Sequence, residues 1–229
     1  MIRSLDSIEK LDFDGALYVR VRSFLDSYGT QYDFARFWVQ YDGEKQTSLL
    51  FLMDECLTVI CKKGVDEELL AFISALGAKS LLCNVQIKDL NSTSISVFEK
   101  SNNQAKSTQQ GFDYKDVYEM LSATFSMPPF EAWYVDICHR VRHSSAVIFA
   151  DEYATACAAI GGAEALITGV CVDKHCRREG LGRRAVDRLT SLSGCKKIYA
   201  LSDCEENNRF YLSCGFTSTG KIFQYILGE

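Results

Sequence analysis

One stretch constrains this chain more than any other. It runs from Ala165 to Ala185, Ala-Leu-Ile-Thr-Gly-Val-Cys-Val-Asp-Lys-His-Cys-Arg-Arg-Glu-Gly-Leu-Gly-Arg-Arg-Ala. Val170 to Val172 have strand character, and Leu181, Ala185, Leu189 and Leu192 recur at helical spacing. Between them Gly180 and Gly182 stand among Arg177, Arg178, Arg183 and Arg184. A glycine turn at a helix N-terminus leaves backbone N–H groups free and lets an anion come close. The helix dipole and the arginines favour a phosphate there. The stretch therefore predicts a strand, a pyrophosphate-binding loop and a helix.

Hydrophobic residues make up 47% of 229, ample for a packed core. The formal net charge is -5, which argues against broad nucleic-acid binding. The opening residues Met1 to Asp6 contain no apolar signal segment, and no run approaches a membrane span. Many of the ten cysteines sit inside apolar strand candidates, where reduced thiols behave as small hydrophobes. The expectation is a reduced, cytoplasmic protein with no membrane or nucleic-acid partner, a monomer or homodimer. Cys56 and Cys61, like Cys171 and Cys176, lack the two-residue gap of a zinc knuckle, so no metal site is expected.

Read in order, residues 14–27 carry a helical stripe of Leu17, Val21, Phe24 and Leu25. Residues 35–41, 48–53 and 57–61 are strand candidates. Asp66 is placed to cap a helix bearing Leu69, Phe72 and Ile73, ended by Gly77, and residues 80–87 are a further strand. Residues 99–111 are polar throughout and read as a linker or exposed loop. Beyond it come helices around Val117 and Trp133, separated by Pro128 and Pro129. Strands follow at 145–150, 153–160 and 165–172, then the glycine loop and its helix to Leu192. A strand at 197–201, a short helix at 205–213 and a strand at 221–227 complete the chain. Residues 35–87 and 145–201 thus share an order of elements. Only the second carries the arginine–glycine loop, because Asp66, Glu67 and Glu68 at the first helix start would repel a phosphate. The expected division is an α/β subdomain at 1–98, a linker at 99–111 and a second domain at 112–229.

Downstream of the loop stands Asn207-Asn208-Arg209-Phe210-Tyr211-Leu212-Ser213-Cys214-Gly215-Phe216. With this run the sequence resembles the GNAT superfamily of acetyl-CoA-dependent N-acetyltransferases. Arg177-Arg178-Glu179-Gly180-Leu181-Gly182 is similar to the family's Gln/Arg-x-x-Gly-x-Gly/Ala signature, and the Asn-x-x-Phe-Tyr-x-x-x-Gly-Phe run to its C-terminal motif. The resemblance covers about residue 112 to the end. It implies a mixed α/β fold whose fourth and fifth strands splay, flanked by helices; the shared order of elements then leaves the N-terminal half either a degenerate GNAT-like subdomain or an order that mixed α/β domains share by chance. It implies that pantetheine pairs with the main chain of Val170, Cys171 and Val172. The pyrophosphate would rest on the loop Arg177, Arg178, Glu179, Gly180, Leu181, Gly182 and Arg183. Asn207 would hydrogen-bond the cofactor, and Tyr211 would protonate the leaving thiolate.

The implied reaction is transfer of an acetyl group from acetyl-CoA to a primary amine of a small molecule or peptide, without a metal. The amine must be neutral to attack. Glu164, Asp151, Glu152 and Asp203 are candidate bases, each also an ordinary turn residue. His139 and His143 stand near the expected acceptor-binding helix end, and His175 precedes the loop. Cys171 as a covalent nucleophile competes with Cys171 as a core residue, and the core reading is preferred. The alternatives are an acyl-CoA-binding sensor or scaffold without turnover, or transfer of a different acyl group.

Overall fold

The computed structural model describes residues 1–5, 10–108 and 111–227. In the first half, β1 (Ile2–Ser4) and α1 (Ala16–Tyr28) precede β2 (Ala35–Asp42), β3 (Lys45–Met53) and β4 (Cys56–Cys61). Then come α2 (Glu67–Ala75), β5 (Ser80–Cys83) and β6 (Thr93–Ser101). The second half holds α3 (Tyr114–Ser122), α4 (Phe130–Arg142), β7 (Ala146–Ala150), β8 (Ala154–Gly161) and β9 (Glu164–Val172). It ends with α5 (Leu181–Ser193), β10 (Lys197–Ser202), α6 (Glu205–Ser213) and β11 (Thr217–Ile226).

These strands form one sheet of 11 in the order β1-β2-β3-β4-β5-β11-β6-β10-β9-β8-β7. Read from its two ends, the order is a near palindrome. β2, β3 and β4 run antiparallel and β4 then pairs parallel with β5, as β7, β8 and β9 lead into parallel β10. The two closing strands are exchanged. β6, from the first half, pairs with β10; β11, from the second, pairs with β5. β6 and β11 pair with each other at the centre. The shared element order expected from the sequence is therefore a real pseudo-symmetry.

Helices cover both faces. The α5 side buries Ala185, Val186 and Leu189 against Ile167, Ile198 and Phe98. The opposite face of the second half carries α3 and α4, with Val117, Leu121 and Ile137 against Ile148 and Cys171. α1 lies on that face and serves both halves. Leu17, Val21, Phe24 and Leu25 pack on Phe37, Leu49 and Phe51, whereas Ala16 and Val19 pack on Leu166 and Tyr199. A helix so enclosed carries little polar surface, and its two inward serines turn their hydroxyls onto the backbone carbonyls of Arg20 and Ser23.

The expected linker needs correction at its start. Glu99, Lys100 and Ser101 belong to β6 and pair with Tyr199, Ile198 and Lys197. The following residues are not free of the fold. Asn102 is 7% exposed, and its side-chain amide donates to Thr190 O and Cys195 O. Ser107 N donates to Ser191 O at 3.1 Å. Gln109 and Gln110 lie outside the described residues. Among the described residues no helix is long and apolar enough to cross a membrane.

Candidate active site

β9 and β10 are paired only at Glu164–Lys197, Ala165–Ile198 and Leu166–Tyr199. Beyond Leu166 the two parallel strands part. The cause is visible on the other side of β9, where Cys157 pairs with Gly169 and Ala158 with Ile167, leaving Thr168 as an extra residue. A bulge of this kind bends its strand and raises its twist. It swings the end of β9 away from β10 and opens a wedge between them.

The main chain facing the wedge follows from ladder parity. Asp173 N donates to Tyr153 O at 2.8 Å, a bond directed at the β8 side. Bonded and non-bonded pairs alternate along an antiparallel ladder. Cys171 therefore bonds toward β8, and Val170 and Val172 turn their N–H and C=O groups into the wedge. Side chains alternate as well. Val170 and Val172 pack with the α5 core, and Cys171 is buried with Leu121 and Cys157 on the α3–α4 face. Cys171 thus offers the wedge neither its main-chain hydrogen bonds nor its thiol, which corrects its expected place beside the two valines. Burial also raises its thiol pKa, and a nucleophilic cysteine needs the reverse.

The wedge opens toward the glycine loop. Arg184 N donates to Gly180 O at 3.1 Å, the first backbone bond of α5. Among the described residues the N–H groups of Gly180 to Arg183, at the start of α5, donate to no protein acceptor. Four successive free donors at a helix start form an anion cradle. Two residues shape it. Gly180, the N-cap, has φ +81° with open space where a Cβ would stand, so conformation and not crowding selects glycine. Arg178 adopts φ 70° as well, and its exposed guanidinium reaches Glu206 Oε1 at 2.8 Å. Gly182 has a different reason. A Cβ there would come 3.1 Å from the Phe210 ring and 3.5 Å from Val172, so this glycine lets α5 close on α6 and β9. Beside the loop, a groove of about 440 Å³ runs along α5 between Gln104, Arg183 and Arg188.

α6 brings Tyr211 under the same wedge wall. Its ring is 8% exposed and packs among Phe98, Phe210 and Phe216, and among the described residues its hydroxyl has no hydrogen bond. Burial pushes the phenol up to about 12. Asn207 is exposed. The neighbouring Asn208 is half-buried; its Nδ2 stands 3.4 Å from Glu205 Oε2, and its Oδ1 is buried without a partner. The structure thus offers Asn208 as a second, better-enclosed polar contact, visible in the sequence only as one of two adjacent asparagines.

The four carboxylates fall at opposite ends. Glu164 sits where β9 and β10 are still paired, 3.8 Å from Lys197, and burial raises its carboxyl pKa. It is remote from Val170. Asp151 is at the open end but committed: it accepts Tyr153 N and Ala154 N and pairs with Arg184 of the first α5 turn. Glu152 and Asp203 are exposed at that end. His139 lies away from the wedge, stacked between Tyr28 at 4.4 Å and His143 at 4.3 Å, with Nε2 2.9 Å from Ser27 O. His175 is exposed.

In the first half the equivalent features are closed. β4 and β5 pair from Cys56–Ser80 to Val59–Cys83. Where they would part, Asn84 bridges them, its Oδ1 accepting Cys61 N at 2.8 Å and its Nδ2 donating to Cys61 O at 2.9 Å. At the start of α2, Asp66 accepts Leu69 N at 2.8 Å and Gln40 Nε2 at 2.9 Å. A carboxylate of the chain itself occupies the anion position.

Residues 142–218 match the family model of the acetyltransferase (GNAT) domain. No curated protein matches in sequence. A GCN5-related N-acetyltransferase from Sphaerobacter thermophilus superposes with a TM-score of 0.59 at 13% identity, covering 98% of this chain and 94% of its own. One from Kribbella flavida gives 0.53 at 12%, covering 93% and 96%. A tandem GNAT protein from the clavulanic acid biosynthesis pathway gives 0.53 at 11%, covering 100% and 99%. Identities this low carry the fold alone, and the fold they carry includes a doubled one.

Proposed function

We propose that this chain, whose residues 142–218 form a GNAT acetyltransferase domain, moves an acetyl group from acetyl-CoA to a primary amine of a small molecule or peptide. One observation carries the reading: the wedge between β9 and β10 presents the main chain of Val170 and Val172 and leads to the free N–H row of Gly180 to Arg183 at the start of α5. These residues fit an extended amide-bearing arm joined to a pyrophosphate. Bound acetyl-CoA would supply a thioester whose carbonyl carbon an amine can attack.

In this reading Val170 and Val172 hold the arm as an added strand partner, and one of their N–H groups donates to the carbonyl oxygen as charge grows on it. The buried Oδ1 of Asn208 accepts an amide N–H of the arm, and Asn207 contacts it from the rim. Tyr211 faces the sulfur. A phenol near 12 handing its proton outright to a thiol of ordinary pKa, about 8.5, works uphill by roughly 5 kcal/mol. Tyr211 therefore donates a hydrogen bond to the departing sulfur, and solvent supplies the proton. The amine proton leaves through water at the open end, where Glu152 and Asp203 stand. The first half, which runs through β6 to Ser101, is a degenerate copy that lost its own site and completes the sheet of the second half. The setting is cytoplasmic, consistent with ten free cysteines.

A second reading, acyl-CoA binding without turnover, draws on the absence of a committed base at the open end among the described residues. Calorimetric titration with CoA and a CoA-release assay over a panel of amines separate the two. Binding together with release supports the transferase. Binding with no release on any amine supports the sensor, and no binding defeats both.

A further inference from the structure

Two arginines on the α1 face of the sheet have too few anions to meet them. Arg140, on α4, is 9% exposed. Its Nη2 donates to Ser23 Oγ at 3.1 Å, its Cζ stands 4.5 Å over the Phe24 ring, and its Nε has no partner. The carboxylate beside it, Asp136, keeps 3.7 Å from Nη1 and already accepts the Tyr28 hydroxyl at 2.7 Å. Arg20, on α1 one turn before Phe24, is less well provided. Its Nε is buried without an acceptor, and among the described residues no hydrogen bond or ion pair reaches its guanidinium. The residue as a whole is half-buried, and of its side-chain nitrogens only Nε is fully enclosed without a partner. Burial lowers both guanidinium pKa values, and the charge of Arg140 lowers that of Arg20 further.

A desolvated guanidinium without a counter-ion is unfavourable until an anion completes it. Its planar fork fits a carboxylate with two parallel hydrogen bonds. The position matters equally. Ile137, one turn before Arg140 on α4, packs in one buried cluster with Cys157 of β8. Cys157 is the register partner of Gly169, the residue before Val170 at the bulge. The arginines thus back onto the strands bordering the wedge, on the face opposite α5 and its anion loop.

We propose that Arg20 and Arg140 form a carboxylate subsite for the acyl acceptor, so that the acceptor is an amine of amino-acid type, carrying a carboxylate as well. The inference rests on the transferase reading and adds a task for the first half, which contributes α1. Arg20 reaches the ligand directly, and Arg140, anchored by Ser23 and Phe24, supplies the second charge.

The test uses the full chain and the free L-amino acids, each beside the primary amine that lacks its carboxylate. CoA release is measured with acetyl-CoA, and thermal stabilisation without it. Carboxylate-bearing members are expected to be the better substrates. Arg20→Met should raise KM for them by roughly tenfold to a hundredfold, the loss of a charge-assisted hydrogen-bonded contact, with kcat little changed. Activity on amines lacking the carboxylate should not move, and Arg20→Lys should recover part of the loss. Because Arg20 has no partner to lose, Arg20→Met should also raise the melting temperature of the free protein, which a structural arginine would not do. Arg22→Gln, which breaks the Arg22–Asp26 pair on the same helix, is the control. Equal use of both amine sets overturns the subsite and leaves the transferase standing. So does an unchanged KM with a lowered melting temperature in Arg20→Met. No stabilisation or turnover with any amino acid overturns the subsite as well. Amino-acid stabilisation that disappears in Arg20→Met, with no CoA released by any amine, keeps the subsite and defeats the transferase.

Discussion

The glycine loop allows its backbone and its charges to be told apart. Arg178 and Gly180 both sit at positive φ, 70° and 81°. Arg178→Gly removes a guanidinium that is 87% exposed and, among the described residues, paired only with Glu206. An exposed pair of this kind contributes at most about 1 kcal/mol. The left-handed conformation costs an L-residue roughly 1–2 kcal/mol, and relief of that strain is partly offset by the extra freedom of glycine in the unfolded chain, about 0.5–1 kcal/mol. Stability should thus stay within about 1 kcal/mol of the parent. For CoA, the lost charge acts through water: at a separation of about 6 Å it is worth about 0.7 kcal/mol, or roughly threefold in Kd. Gly180→Ala keeps every charge but must either pay the left-handed penalty or abandon the loop shape. If ligand binding has to restore the shape, roughly 1–2 kcal/mol is lost from affinity, a fivefold to thirtyfold rise in Kd. Calorimetric titration with CoA at low and physiological salt reads both. The expected order is Gly180→Ala worse than Arg178→Gly. A larger loss in Arg178→Gly, growing at low salt, would mean that side-chain charge holds the phosphates, and the argument from free N–H groups would be refuted.

Other consequences are open to measurement. Tyr211→Phe should lower kcat roughly tenfold to a hundredfold, the worth of a hydrogen bond to a charged sulfur, with CoA affinity unchanged; an unaltered kcat removes Tyr211 from the site. The same residue sets an alkaline limit. Its folded-state pKa near 12 exceeds the unfolded value of about 10, so its contribution to stability is intact below pH 10 and is lost as pH rises toward 12. The loss approaches roughly 3 kcal/mol, and Tyr211→Phe should flatten that part of a denaturation profile. Asn84→Ala should cost about 1–3 kcal/mol for two lost hydrogen bonds and leave CoA affinity untouched. Cys171→Ala should cost about 1 kcal/mol or somewhat more for a small cavity and preserve turnover, whereas loss of turnover in it together with an acetylated thiol by mass spectrometry in the parent would restore the covalent reading.

Much of this architecture was legible in the residues, for identifiable reasons. α6 runs from Glu205 to Ser213 as its boundaries suggest, because Gly215 fixes one end. α2 carries its Asp66 cap, and the loop before α5 has the exposed backbone that Gly180 requires. β6 was not legible. Its sequence, Thr-Ser-Ile-Ser-Val-Phe-Glu-Lys-Ser, is two-thirds polar, yet it lies in the middle of the sheet. Ile95 and Val97 serve one core and Phe98 the other. Only neighbours from the opposite half make it a strand. The opening of the wedge depends on one unpaired residue, Thr168, which nothing local distinguishes from its neighbours. The choice between Asn207 and Asn208 depends on how α6 is turned. The two arginines are hidden more deeply still: Arg20 looks like any helix cation until the far half of the chain encloses it.

The exchange of β6 and β11 carries a consequence for how such a chain changes over generations. Each half borrows its closing strand from the other, so neither can be deleted or released by cutting at residues 102–111 without leaving a raw edge in the middle of the sheet. The first half is therefore indispensable to the sheet whatever else it does. Its helix start at Asp66 and its strand junction at Asn84 answer to stability, provided that the strand it lends stays in register. Selection on this chain would act on the two halves by separate rules, one guarding chemistry and the other guarding a seam.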